Sequence, residues 1–129
     1  MTFEDAIGDT LKADATLTGL CSNIYGGVAP QNTDHPYLVF NREGTFPEYD
    51  KDSGNMGNVI FGIDIYAKSQ NEALEIADAA REALDLLTGS YTGFEFSRAR
   101  FDSQSSIDRD PETRAYYVLQ GYIVWYKYT

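Results

Sequence analysis

A chain of 129 residues that is 43% apolar and 14% aromatic is long enough to bury roughly two thirds of its unfolded surface as one domain and too apolar to stay disordered. Its net charge of −10, from 20 acidic and 10 basic side chains, argues against sequence-specific nucleic-acid binding, which depends on cations facing phosphates, although solubility alone also accounts for the acidity. No apolar run approaches the roughly 20 residues that cross a bilayer, so no membrane contact is expected.

The start, Met1 to Lys12, is acidic and amphipathic instead of basic and then apolar, so no secretory signal is expected and folding in cytoplasm follows. Phe3, Ile7 and Leu11 recur at four-residue steps with Ala6 beside them, which predicts a helix from Phe3 to Asp14 capped by Thr2. Leu17 and Leu20 continue the apolar face into a short turn of helix before Asn23, the alternative being a break near Asp14. Cys21 is the only cysteine and His35 the only histidine. An intrachain disulfide is therefore excluded, as are zinc sites built within one chain on several thiolates or imidazoles. Cys21 reads as a small buried residue, and His35 as part of the turn-rich stretch Gly26 to Pro36.

Tyr37 to Arg42 is rich in β-formers and predicts a short strand. Gly44 to Gly57 then forms the longest stretch without a pattern, predicted as a loop. From Asn58 to Lys68, Val59, Phe61, Ile63, Ile65 and Ala67 share one parity, which predicts a strand with that face in the core. Ser69 stands three residues before Glu72, the spacing of a capping box. A long helix is predicted from there, with Leu74, Ala77, Ala80 or Arg81, Leu84 and Leu87 on its stripe, extending over roughly 27 Å and ending at Gly89 as a left-handed cap. Tyr91 to Asp102 gives a further strand, Ser103 to Thr113 an acidic loop, and Arg114 to Tyr128 the last strand.

Both faces of that last strand are apolar. Tyr117, Leu119, Ile123 and Trp125 form one; Tyr116, Val118, Tyr122, Val124 and Tyr126 form the other. The Trp125 face is assigned to the core and the tyrosine-rich face to subunit contact, since tyrosine suits a surface that is wet in one state and covered in another. The competing arrangement is a central strand covered on both sides within one copy. The order helix, strand, strand, helix, strand, strand lacks βαβ alternation. It predicts a single α+β domain over residues 1–129, with a mainly antiparallel sheet of roughly four to five strands and the N-terminal and long helices mostly on one face.

The chemistry-bearing motifs are absent: no GxGxxG, phosphate-binding GxxxxGK[ST], GxSxG or HExxH occurs. Asp50 to Asn55 has the flavour of a calcium loop, but the twelfth position is Phe61, where a bidentate glutamate belongs. Asp108, Asp110 and Glu112 are alternating loop acids, more simply solvated than metal-bound. Neither Cys21 nor His35 has a basic cluster near it in sequence to activate a thiolate. No catalytic, cofactor or metal residue is assigned.

Several stretches together resemble a family of phage proteins, the tail terminators, also called tail completion or head-to-tail joining proteins of long-tailed phages and prophages. They are the short N-terminal helix with Leu11 and Leu17, Asn23-Ile24-Tyr25, His35-Pro36-Tyr37-Leu38-Val39-Phe40, and Ile65-Tyr66-Ala67-Lys68-Ser69 running into Glu72-Ala73 and Ile76-Ala77. The resemblance implies a non-enzymatic homo-oligomer, typically a hexameric ring, that is assembled in the host cytoplasm and resides in the virion neck. There it caps the tail tube protein and meets a head connector or stopper protein. An acidic lumen in such a ring would repel passing DNA. Under that reading Tyr116, Tyr122, Tyr126, Tyr128, Arg98 and Arg100 are the expected subunit-interface residues. Phe46, Tyr49, Asp50 and Met56 in one loop, with Asp108 and Arg109 in the other, are the expected partner contacts. The alternatives are another neck adaptor, or a small metal-dependent binding domain or enzyme using the acidic loops around Asp50 and Asp108.

Overall fold

A computed structural model describes residues 1–48 and 55–129. Among them the order is α1 (Phe3–Ala13), α2 (Ala15–Leu20), β1 (Asn23–Gly26), β2 (Tyr37–Glu48), β3 (Met56–Ala67), α3 (Gln70–Leu84), β4 (Gly89–Tyr91), β5 (Phe94–Gln104), β6 (Asp108–Arg109) and β7 (Tyr116–Tyr128). The strands form one sheet in the order β1-β2-β3-β7-β5-β4, with β6 pairing the start of β7. The α+β class is as expected. The sheet, however, is mixed and wider than expected: β1 runs parallel to β2, and β4 and β6 add strands beyond the four or five predicted.

Three boundaries differ from the sequence expectation, each for a local reason. β2 continues through the supposed loop to Glu48, paired with β3 from Gly44↔Ile60 to Glu48↔Met56 after a bulge between Arg42 and Gly44. Pro47 is tolerated because β1 reaches only to Phe40, which leaves this stretch of β2 as a sheet edge where a missing N–H costs no ladder bond. The predicted strand from Tyr91 to Asp102 belongs to a hairpin instead: Tyr91 pairs with Phe94 across Thr92 and Gly93, and Gly93 supplies a φ of 93°. Finally, α3 spans 15 residues, about 22 Å, and stops at Leu84 rather than near Gly89. Its exit is drawn onto β5, for the Leu86 N–H donates to the Ala99 carbonyl at 2.8 Å and the Asp85 carboxylate accepts from the Phe101 N–H at 2.9 Å. Leu86, with φ of 64°, takes the left-handed turn assigned to Gly89, which lies in β4.

The N-terminal caps of α1 and α3 are those the sequence predicts. Thr2 and Asp5 form a reciprocal box on α1. On α3 the Ser69 hydroxyl accepts from the Glu72 N–H, while the Glu72 carboxylate reaches back to the Lys68 N–H, one residue earlier than in a standard box. Asp14 ends α1 and caps α2.

All three helices cover one face of the sheet. The core takes one parity from each long strand: Leu38 and Phe40, then Val59, Phe61, Ile63 and Ile65, then Phe94, Phe96 and Ala99, then Val118, Tyr122, Val124 and Tyr126. Against them lie Phe3, Ile7 and Leu11 of α1, Leu17 of α2, and Ala73, Ile76, Ala77, Ala80 and Leu84 of α3. The alanines let α3 lie close to the sheet. Arg42 clamps α1 to β2 with two bonds to Glu4, at 2.6 and 2.7 Å, above the Phe3 ring. Burial raises the Glu4 pKa, but the Arg42 bonds outweigh it and hold the carboxyl below its usual value.

The faces of β7 are therefore exchanged relative to the sequence expectation. Tyr122 and Tyr126 are 1% and 3% exposed and belong to the core, whereas Trp125, Ile123, Tyr117 and Leu119 lie on the side without helices. Alternation cannot say which of two apolar faces receives the helices; here the choice is made by polar matching. Gln120, also buried, donates to the Ala77 carbonyl of α3 and to the Gln104 side chain, and its Oε1 accepts from the Tyr122 hydroxyl, each at 2.9 Å. Every polar atom of that buried cluster has a partner.

Two substitutions test this packing. Tyr122→Phe removes the donor to Gln120 and should cost about 1–3 kcal/mol in urea unfolding, because a buried acceptor loses its bond. Gly8→Ala should lower the thermal midpoint despite alanine's better helix propensity. A Cβ at Gly8 would stand 2.8 Å from Cζ of the buried Phe40 ring, and such overpacking costs about 1–3 kcal/mol.

Candidate interaction surface

The side of the sheet without helices presents cross-strand rows whose members share a face by register. Toward one end run Tyr37, Tyr66 and Tyr117. Tyr37 and Tyr66 stack at 4.7 Å between centroids, His35 flanks Tyr37 at 5.2 Å, and Tyr117 follows Tyr66 at 6.1 Å. The next row is Val39, Asp64 and Leu119; Leu119 is 41% exposed. Gly62 and Gly121 then face each other and form a waist. The Glu43 side chain, from the bulge in β2, lies over Gly62 and would have to shift to admit a Cβ there. Beyond the waist come Ile60, Ile123 and Arg100, then Phe46, Asn58, Trp125 and Arg98.

Two shallow concavities meet at Asp64 and Tyr66. One is lined by Val28, Ala29, Tyr37, Val39 and Asn41 and has a volume of about 230 Å³. The other, about 460 Å³, is lined by Asp110, Pro111, Tyr117 and Leu119. Together they make a groove across the tyrosine row, walled by the β1–β2 connection and by the turn after β6. Its charge is negative. Burial, and then the charge of Glu43, raises the Asp64 pKa. Burial likewise raises the Tyr37 and Tyr66 pKa values, with Asp110 among the nearby charges. The Asp64 carboxylate has no hydrogen-bond or ion-pair partner among the described residues.

The residues expected to form subunit contacts divide. Arg98 and Arg100 are exposed on the open face beside Trp125 and Ile123, without an ion-pair partner among the described residues. Tyr128 is 45% exposed at the end of β7, stacked on Phe3 at 5.6 Å. Tyr116 is half-buried on the helix side under Arg109. Tyr122 and Tyr126 are core residues, so their expected place on an exposed face is corrected. Of the loop residues, Phe46 and Met56 are 52% and 41% exposed, and Tyr49 and Asp50 lie outside the described residues. Asp108 and Arg109 are exposed in β6. The β2–β3 tip and the β6 turn stand at opposite ends of β3 and β7, roughly 36 Å apart at about 3.3 Å per residue. Asp108, Asp110 and Glu112 form no metal-binding cluster, and no group of three His, Cys, Asp or Glu suited to a metal occurs among the described residues. Cys21 is buried, and burial pushes its thiol up to about 11, so no reactive thiolate forms near neutral pH.

Sequence reasoning missed the tyrosine row and Asp64. Tyr66 and Asp64 were visible as the off-parity residues of β3, but only the register of three strands aligns them with Tyr37, Tyr117 and Leu119.

Asp64 yields a test with a definite sign. An acid whose folded pKa is raised stabilises fully below its unfolded pKa, and that contribution is lost as pH rises through the folded value. Asp64→Asn should therefore raise the thermal midpoint at pH 7, and the gain should shrink as the pH is taken down through the ordinary aspartate range. Trp125→Ala, on the open face, should cost clearly less than the roughly 3–5 kcal/mol of a core tryptophan, measured by chemical unfolding.

Comparison with known proteins agrees with this architecture. The family model for tail completion protein gp17 matches residues 5–127. Among solved structures, the fold is similar to a chain of the virion of a native gene transfer agent particle, with a TM-score of 0.80 and 18% identity over 97% of this chain and 94% of that one. It is also similar to the bacteriophage SPP1 gp17 protein, with a TM-score of 0.59 and 16% identity over 93% of this chain and 85% of that one. At such identities these likenesses speak for the fold. No curated protein sequence matches.

Proposed function

This chain belongs to the tail completion protein gp17 family, and on that premise we propose that it works without catalysis, as a virion component that closes the tail tube as a ring of identical copies and offers the head connector a docking surface. The observation that carries the reading is the open sheet face: Trp125, Ile123, Ile60, Leu119 and Phe46 lie together on one side while every helix packs on the other. Large apolar side chains gathered on an uncovered sheet face mark an interaction site more than a solvated one.

A ring requires a heterologous contact, in which one patch meets a different patch on the next copy. The exposed Arg98, Arg100 and Tyr128 supply one side of it. The β2–β3 tip with Phe46 and Met56 and the β6 turn with Asp108 and Arg109, at opposite ends of the sheet, suit two different partners, tail tube and connector. A hexamer is the expected stoichiometry. Acidic residues turned toward the lumen would keep DNA phosphates from adhering.

The measurement is mass. Light scattering over a concentration series, with and without the cognate tail-tube protein, should show association that the tube promotes. A strict monomer under both conditions, even when tubes are saturated, would overturn the ring.

A further inference from the structure

The open face carries opposite charges at two separate places. Arg98 and Arg100 project from β5 at one corner, two residues apart on an extended strand and so about 7 Å from each other. The tyrosine-row groove, with Asp64 in its floor and Asp110 in its wall, lies toward the opposite corner. From the register, Arg100 and Asp64 are separated by two strand spacings and four residues along the strand, roughly 16 Å. That exceeds what an arginine and an aspartate side chain can bridge, so the two sets cannot neutralise each other within one copy. Neither the arginines nor Asp64 has an ionic partner among the described residues.

We propose that the groove over Tyr37, Tyr66 and Tyr117 receives the β5 strand of a second copy, with that copy's Arg98 and Arg100 placed on the tyrosine faces and against Asp64 and Asp110. Charge complementarity selects the occupant: the groove is aromatic and acidic, and the chain itself presents, on one exposed strand, two arginines without an ionic partner among the described residues. Arginine suits such a place, since its planar guanidinium both stacks on aromatic rings and pairs with carboxylates. Covering Asp64 with a cation also relieves the unfavourable burial of its charge. The donor and acceptor patches are different and stand apart, so the contact can run head to tail and propagate around a ring. This assignment rests on the ring reading, and it names the two surfaces that meet.

The test uses the full chain in sedimentation velocity with tail-tube protein present, with circular dichroism to confirm folding of each variant. R98E/R100E and D64N/D110N should each weaken self-association, the reversal on the order of a hundredfold because it sets like charges together. Mixing R98E/R100E with D64K/D110K should restore association that neither shows alone; if D64K/D110K does not fold, the loss in D64N/D110N stands in its place. If wild type associates and the arginine and aspartate variants associate equally well, this contact is wrong and the ring survives. If wild type stops at a two-copy species, a face-to-face pair replaces the head-to-tail contact. If wild type never associates, both readings fall.

Discussion

The pairing of β3 with β7 is the constraint from which the other features of the molecule follow. Twelve consecutive residue pairs, from Met56↔Lys127 to Ala67↔Tyr116, run without a bulge. Side chains alternate on both strands, so this single register commits Val59, Phe61, Ile63, Ile65, Val118, Tyr122 and Val124 to one face together and Ile60, Asp64, Tyr66, Tyr117, Ile123 and Trp125 to the other. A slip by one residue would put Gln120 outside and leave its bonds to Ala77 and Tyr122 unmade. Burying that amide against α3 therefore helps decide which apolar face the helices take, at the modest net value of a few hydrogen bonds, while apolar burial supplies most of the stability.

The helices then have no freedom of side. α3 leaves β3 directly, capped by Ser69, and Leu86 and Asp85 bind its exit to β5. α1 is placed by Phe3, which touches Phe94, Phe96 and Tyr126, and by a glycine that lets Phe40 approach. With one face saturated, the opposite face keeps its apolar and aromatic rows in contact with water. Asp64 lies in the groove on that face, and partial burial there raises its pKa.

Much of this was legible in the residues. The parity of β3, the caps of α1 and α3 and the α+β class follow from periodicity and hydrogen-bonding chemistry, which are local. The extension of β2 through Pro47 was not, because whether a proline is tolerable depends on having a neighbour on one side only, and that is a property of the sheet. The same holds for Gly89: its left-handed role passed to Leu86 because distant β5 atoms claim the helix exit. Most consequential was β7, whose two faces carry nearly equal apolar content. Tyrosine is equally at home in a core with a hydroxyl partner and on a contact surface, so composition pointed Tyr122 outward, and only the Gln120 network showed it to be inward. The face of β7 expected to be exposed is accordingly the one that the helices cover.

The sheet edges bear on how copies meet. The free stretch of β2 has a bulge at Arg42 and Gly44 and then Pro47. The free stretch of β5 has two bulges, between Phe96 and Arg98 and between Phe101 and Ser103, and carries the arginines. Bulges, proline and charge are the devices by which edge strands resist pairing with a further strand. Edge-to-edge growth would give an open-ended sheet. With these two stretches guarded, the face without helices remains open to a specific contact. Whether a contact between unlike patches would close a ring or continue as a fibre is decided by the angle it sets between successive copies.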